Sequence, residues 1–206
     1  MRPATTNQIQ FHKGELIMKF SRKFVSECRD KSTYANHVSA PLFRKSINLK
    51  NKDLKGNIVI SGLGFYDLFI NGEKITKGFL APYIANTDHL VYFDEYDISK
   101  YLKQGENVIG IMLGDGFQCA KSTVWDFKDN IMNSAPKLAL TVTICDGADE
   151  IEFEADSFLC KKGPVWFNDL RSGTFYDKTK DEIGWNNIGY AEDESWHSPI
   201  SVERPR

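Results

Sequence analysis

The stretch that decides the fold runs from residue 62 to residue 117. It opens with Gly62-Leu-Gly-Phe-Tyr-Asp-Leu-Phe-Ile-Asn-Gly-Glu-Lys-Ile-Thr-Lys77 and closes with Gly105-Glu-Asn-Val-Ile-Gly-Ile-Met-Leu-Gly-Asp-Gly-Phe117. Tyr66, Leu68 and Ile70 alternate with Asp67 and Phe69 and lead straight into Asn71-Gly72. That pair accepts positive φ at both central positions of a two-residue hairpin, so the spacing predicts a strand, a type I′ turn and a return strand over 65–77. Asp97-Ile-Ser-Lys-Tyr-Leu102 reads as one short helical turn, because Ile98 meets Tyr101 and Leu102 three and four residues on. Gly105-Glu106-Asn107 ends it, and Val108 to Leu113 is apolar on both faces, as an interior strand would be.

Outward from this centre the chain reads as more sheet. Upstream, Phe20, Arg22 and Phe24 alternate with Lys19, Ser21 and Lys23, which fits a half-exposed strand over 18–25. Leu42 to Leu49 makes another strand, and Gly56-Asn57 turns the chain into Ile58-Val59-Ile60. Downstream, Leu138, Leu140, Val142 and Ile144 alternate with small or polar residues, the cleanest strand signal in the sequence. Asp146-Gly147 turns it, Ile151 and Phe153 return between glutamates, and a further strand is predicted near 157–161. Roughly eight to ten short strands separated by turn signals predict an all-β protein, an antiparallel β-sandwich of jelly-roll type. Residues 1–17 read as a tail or arm, 18–200 as the sandwich, and 201–206 as the start of a linker.

Composition bounds the function. With 206 residues, 41% hydrophobic and 13% aromatic, the chain suits one large sandwich with a substantial core. A formal net charge of -2 provides no electrostatic footprint for nucleic acid or an anionic membrane, so neither is an expected partner. Cys28, Cys119, Cys145 and Cys160 form no C-x-x-C pair, which points to free thiols in a reducing compartment and to a cytoplasmic protein. His12, His37, His89 and His197 are scattered without metal-ligand spacing, and no nucleophile elbow, phosphate loop or H-E-x-x-H is present. No catalytic residue and no metal ligand are therefore assigned.

A resemblance is carried by ordered segments: Phe69-Ile-Asn-Gly-Glu-Lys74, Leu80-Ala-Pro82, Tyr96-Asp-Ile-Ser99, Leu102-Lys-Gln-Gly-Glu-Asn107 and Leu113-Gly-Asp-Gly-Phe117. Pro41-Leu-Phe-Arg-Lys45 precedes them, and Gly163-Pro164, Asn168-Asp-Leu170, Gly173-Thr-Phe-Tyr-Asp177 and Gly184-Trp185 follow. Over roughly residues 20–200 the chain resembles the N-terminal β-sandwich domain of bacterial α-L-rhamnosidases. The resemblance implies a galactose-binding-like sandwich, an accessory to a glycosidase whose catalytic acids lie on a separate helical barrel. This stretch has no run of amphipathic helices to build one, and is expected to be inactive alone. Partners implied are a rhamnoside carbohydrate and the enzyme's own catalytic domain. The Asn-Gly hairpin with a Gly-Glu-Asn turn is shared with β-galactosidase-like sandwiches, leaving two alternatives: a free-standing carbohydrate-binding module, or a docking sandwich.

Sugar binding asks for a flat aromatic face beneath a pyranose and planar polar groups that bridge hydroxyls. Residues 115–130 and 166–177 supply both, and the candidates are Asp115, Phe117, Trp125, Asp126, Asn168, Asp169, Tyr176 and Asp177. Each has a plainer reading as a core plug or as a turn residue bonding its own backbone. Some modules of this type use calcium, but Ser172-Gly173-Thr174 stands where the resemblance implies Asp-Gly-Glu, and two carboxylates are missing. Tyr83-Ile84 similarly stands where Gly-Trp would supply an aromatic platform.

Overall fold

Asn71 and Gly72 take φ of 53° and 86°, and Ile70 pairs with Glu73 across them, so the two-residue hairpin forms as its sequence requires. The Asn71 side chain does more than turn the chain. Its Nδ2 donates to the Tyr101 carbonyl at 2.9 Å and its Oδ1 accepts from the Val108 amide at 2.7 Å, tying the hairpin to the short helical turn and the following strand. Gly72 also lies against the Asn187 side chain, where a Cβ would collide. Gly72→Val is therefore expected to destabilise by ~1 kcal/mol or more, read as a lower urea midpoint at unchanged slope.

The computed structural model describes residues 19–87, 89–119, 121 and 133–204. Among these are thirteen strands: β1 (Phe24–Ser26), β2 (Pro41–Leu49), β3 (Leu54–Leu63), β4 (Tyr66–Ile70), β5 (Glu73–Lys74), β6 (Asp94–Asp97), β7 (Gly105–Leu113), β8 (Lys137–Asp146), β9 (Asp149–Glu154), β10 (Leu159–Lys162), β11 (Val165–Asp169), β12 (Gly173–Tyr176) and β13 (Ile200–Val202). One sheet has the order β13-β1-β8-β3-β6, with β9 also paired to β8; the second runs β10-β2-β7-β4-β5; β11 and β12 form a hairpin of their own. All pairings are antiparallel, and the fold is a β-sandwich. The described helical structure consists of short 3-10 turns, one of them at Ser99–Tyr101 where a helical turn is predicted. Among the described residues no helix is long and apolar enough to cross a membrane.

The core lies between the two sheets. Ile58 and Ile60 of β3 and Leu138, Leu140, Val142 and Ile144 of β8 face Phe43 of β2, Ile109 and Ile111 of β7, and Leu68 and Ile70 of β4. Each fully buried aliphatic side chain contributes about 1.5–3 kcal/mol, so this alternating set carries much of the stability. β7 is buried on its other face too, because the 182–197 segment covers it. There Gly110 sits between Arg44 and Phe69 in the register, and Trp185 packs edge-on to Phe69 at 5.7 Å over the space a Cβ at Gly110 would need. Arg44, 1% exposed, donates from Nη2 to the Tyr190 carbonyl at 2.9 Å and places Nε 3.0 Å from Glu192.

Two expectations are corrected. The strand predicted over 18–25 pairs only at Phe24–Ser26, because β13 ends at Val202, opposite Phe24, and leaves the residues before it without a partner edge. Ser201 and Val202, given to a linker by the sequence, are instead part of β13; Val202 packs on Phe24, Leu63 and Ala139.

Candidate functional site

The β11–β12 hairpin and the turn after β7 meet at one rim of the sandwich. Leu113-Gly-Asp-Gly-Phe117 leaves β7 and crosses under Gly64-Phe65, where the Gly114 amide donates to the Phe65 carbonyl at 2.6 Å. The Asp115 amide then donates to Asn168 Oδ1 at 2.7 Å, which joins two segments 53 residues apart. Lys121 closes the turn. Its ammonium lies 2.6 Å from Asp115 Oδ2, donates to the Asn168 carbonyl at 2.8 Å and sits 5.0 Å from the centre of the Phe167 ring. Both side chains of the pair are buried, at 1% and 3% exposure. Burial pushes the Asp115 carboxyl up and the Lys121 ammonium pulls it back, with burial the larger.

The sequence candidates therefore divide by placement. Asp115 faces inward onto Lys121 and is not presented to solvent. Phe117 packs edge-on to Phe65 at 5.9 Å. Asn168 orders the Asp115 turn, while its Nδ2 is buried with no hydrogen-bond partner among the described residues. Asp169 accepts from the Ser172 amide at 2.8 Å and the Arg171 amide at 3.1 Å. Burial works against that carboxylate, but the two amides together with the Ser172 hydroxyl and the Lys121 ammonium outweigh it and hold the carboxyl below its usual range. Asp177 accepts from the Thr179 hydroxyl at 2.6 Å and the Thr179 amide at 3.0 Å, which lower its pKa in that order. Tyr176 is 53% exposed and donates to Asp181 at 2.7 Å. Trp125 and Asp126 lie outside the described residues.

What the rim presents to solvent is aromatic, and the candidate set omits its central residue. Trp166, 45% exposed, is the extra residue of a bulge: Val165 pairs with Tyr176 and Phe167 with Phe175, leaving Trp166 between them. A bulge re-aims a side chain, and here Trp166 and its neighbour Phe167 both pack on His37, at 4.6 and 4.7 Å between ring centres. Phe175 lies 5.2 Å from Phe167, and the Tyr34 hydroxyl is 2.9 Å from Ser172 Oγ. Trp beside Phe in a polar, Gly-flanked segment was the available signal, but plain alternation sends the two rings to opposite faces and hides their association.

Among the described residues few ligands are offered to the calcium that the resemblance allows. The carboxylates of Asp169 and Asp177 are committed to backbone amides of their own turns, and residues 172–174 bring hydroxyls without charge. Among the described residues no three His, Cys, Asp or Glu side chains come together to hold a metal.

The two stacked antiparallel sheets with an aromatic hairpin on the rim define a β-sandwich domain. Residues 52–206 match the profile of the family described as "Alpha-L-rhamnosidase N-terminal domain", and the chain belongs to that family. It is 32% identical over 164 residues to an α-L-rhamnosidase of Formosa agariphila, covering 77% of this chain and 17% of that protein. An α-L-rhamnosidase structure from Dictyoglumus thermophilum superposes with a TM-score of 0.74 at 28% identity, over 89% of this chain and 21% of the other. That of Streptomyces avermitilis α-L-rhamnosidase, complexed with L-rhamnose, shares the fold with a TM-score of 0.73 at 21% identity, over 82% and 16%. The chain thus spans less than a fifth of the length of the curated relatives it matches. It is an accessory domain of the α-L-rhamnosidase type.

Proposed function

We propose that this domain is a non-catalytic, carbohydrate-binding-like part of an α-L-rhamnosidase that hydrolyses terminal α-L-rhamnosides through a separate helical barrel. The observation that carries the reading is the exposed Trp166 platform, held on His37 and Phe167 beside the hydroxyls of Tyr34 and Ser172. An exposed indole offers the flat face that the C–H side of a pyranose takes, and neighbouring hydroxyls can bond the sugar's edge. A second role, docking of the enzyme's own catalytic domain, is supported by the exposed apolar loop of Phe79, Leu80, Tyr83 and Ile84. Four free thiols support a cytoplasmic, reducing setting.

The purified domain is expected to leave p-nitrophenyl α-L-rhamnoside unhydrolysed and to bind L-rhamnose in the millimolar range, ~4 kcal/mol. Titration followed by Trp166 and Tyr176 resonances should show saturable shifts at the hairpin, lost in Trp166→Ala. Turnover abolished by changing one of the domain's own carboxylates, or rhamnose shifts confined to the opposite rim, would overturn the reading.

A further inference from the structure

A second concave site lies away from the hairpin, on the outer face of the sheet that holds β1 and β13. It is a cavity of about 610 Å³ lined by Phe20, Phe24, Leu90, Phe93, Arg22 and Arg204, with His89 and Thr87 at its edge. The volume is that of a small-ligand site. Phe20 and Phe93 form its aromatic wall, with ring centres 5.3 Å apart, and remain 40% and 45% exposed.

Both arginines reach this cavity from the segments that flank the β1–β13 pairing. Phe24 pairs with Val202 and Val25 with Ser201. Arg22 and Arg204 lie two residues beyond the Phe24–Val202 pair, one on each segment, and both line the cavity. Lys137 donates to the Glu203 carbonyl at 3.0 Å and holds the outgoing segment there. Two like charges lining one cavity give it an unbalanced positive potential. Here neither arginine makes an ion pair or side-chain hydrogen bond among the described residues, and no described carboxylate lines the cavity.

We propose that this cavity binds the carboxylate-bearing ring of an acidic saccharide, a uronic acid residue. The two guanidinium groups take the carboxylate through their forked N–H donors, and the Phe20–Phe93 wall takes the pyranose face. The carboxylate balances the positive charge that Arg22 and Arg204 bring to the cavity, so charge complementarity and ring stacking select the same ligand. The proposal rests on the domain's belonging to a carbohydrate-active enzyme, but uses none of the residues of the Trp166 platform.

The test is titration of the domain with D-glucuronate, D-glucose, acetate and inorganic sulfate, following the Arg22 and Arg204 side-chain N–H signals and the Phe20 and Phe93 rings. Glucuronate is expected to shift both sets, glucose neither, and Arg22→Gln or Arg204→Gln to weaken glucuronate about tenfold, ~1.4 kcal/mol. Arg22→Lys, which keeps charge without the fork, should recover only part of the affinity, and added salt should weaken binding. Equal shifts from glucose, equal affinity for acetate or sulfate without movement of the rings, or no arginine response to glucuronate would each overturn the proposal. Both arginines are exposed, so thermal unfolding should be unchanged in the variants. L-rhamnose binding read at Trp166 should be untouched by Arg22→Gln, which keeps failure at either site separate from failure at the other.

Discussion

Replacing Lys121 with Met is expected to lower stability near neutral pH by about 3–5 kcal/mol, because it leaves the buried Asp115 carboxylate without its counter-ion. The loss is larger than that of an exposed ion pair, since solvent cannot take the place of the ammonium. Its pH dependence has a definite sign. Burial already holds the Asp115 pKa above its unfolded value. With Lys121 gone, only the opposing pull is removed, so the folded pKa rises further. An acid whose pKa is raised on folding binds more protons in the native state across the interval between the two values. Stability then falls as pH rises, from the ordinary aspartate range near ~4 up through the raised folded value. Urea unfolding of the variant should therefore show a smaller deficit in acid than at neutral pH. A second substitution, Asp115→Leu, in the Lys121→Met background should recover much of the loss, because an apolar pair can fill a site from which both charges are gone. A variant as stable as wild type at neutral pH would show that the ion pair is not what closes the rim.

Gly64→Ala is the other large effect expected. Gly64 has φ of +117°, and a Cβ there would run into the Gly114 carbonyl oxygen, a backbone atom that cannot swing aside. The left-handed conformation costs about 1–2 kcal/mol. Displacing Gly114 also breaks the 2.6 Å hydrogen bond from its amide to the Phe65 carbonyl, a further loss of about 1–3 kcal/mol. The sum is about 2–5 kcal/mol, seen as a lower denaturation midpoint with faster amide exchange at Gly114 and Asp115. Gly173→Ala supplies the control. Its φ is +94° but nothing lies within 4 Å of the added methyl, so only the conformational part should appear. Equal losses at the two glycines would mean that the close approach at Gly64 contributes nothing.

The rim shows where reading a chain in one dimension stops. Asp115 and Asn168 both belong to Gly-containing polar segments, and both were identifiable as residues of interest. Their hydrogen bond at 2.7 Å makes each a fastener for the other. Asp169 and Asp177 fulfil the plainer reading of an acidic residue beside Gly, Ser or Thr, with carboxylates bonded to amides two or three residues on. The placement of Trp166 has no signature in the order of residues, because a bulge sets it beside its sequence neighbour, and a bulge depends on the partner strand as well as its own.

The sequence by itself determined the sheet architecture and the turn at Asn71-Gly72, because backbone sterics and side-chain alternation act locally and leave their period in the chain. Alternation at Leu138 to Ile144 was enough to place the inner face of β8, and a continuous apolar run at 108–113 enough to make β7 interior. Only the tertiary structure decided what lies on the outer faces and at the rim. That Trp185 covers Gly110, that Lys121 neutralises Asp115, and that Arg22 and Arg204 line one cavity each depend on segments 75, 6 and 182 residues apart being brought together. Charge pairing and close packing act through space at a few ångströms, and neither leaves a periodic trace in the order of residues.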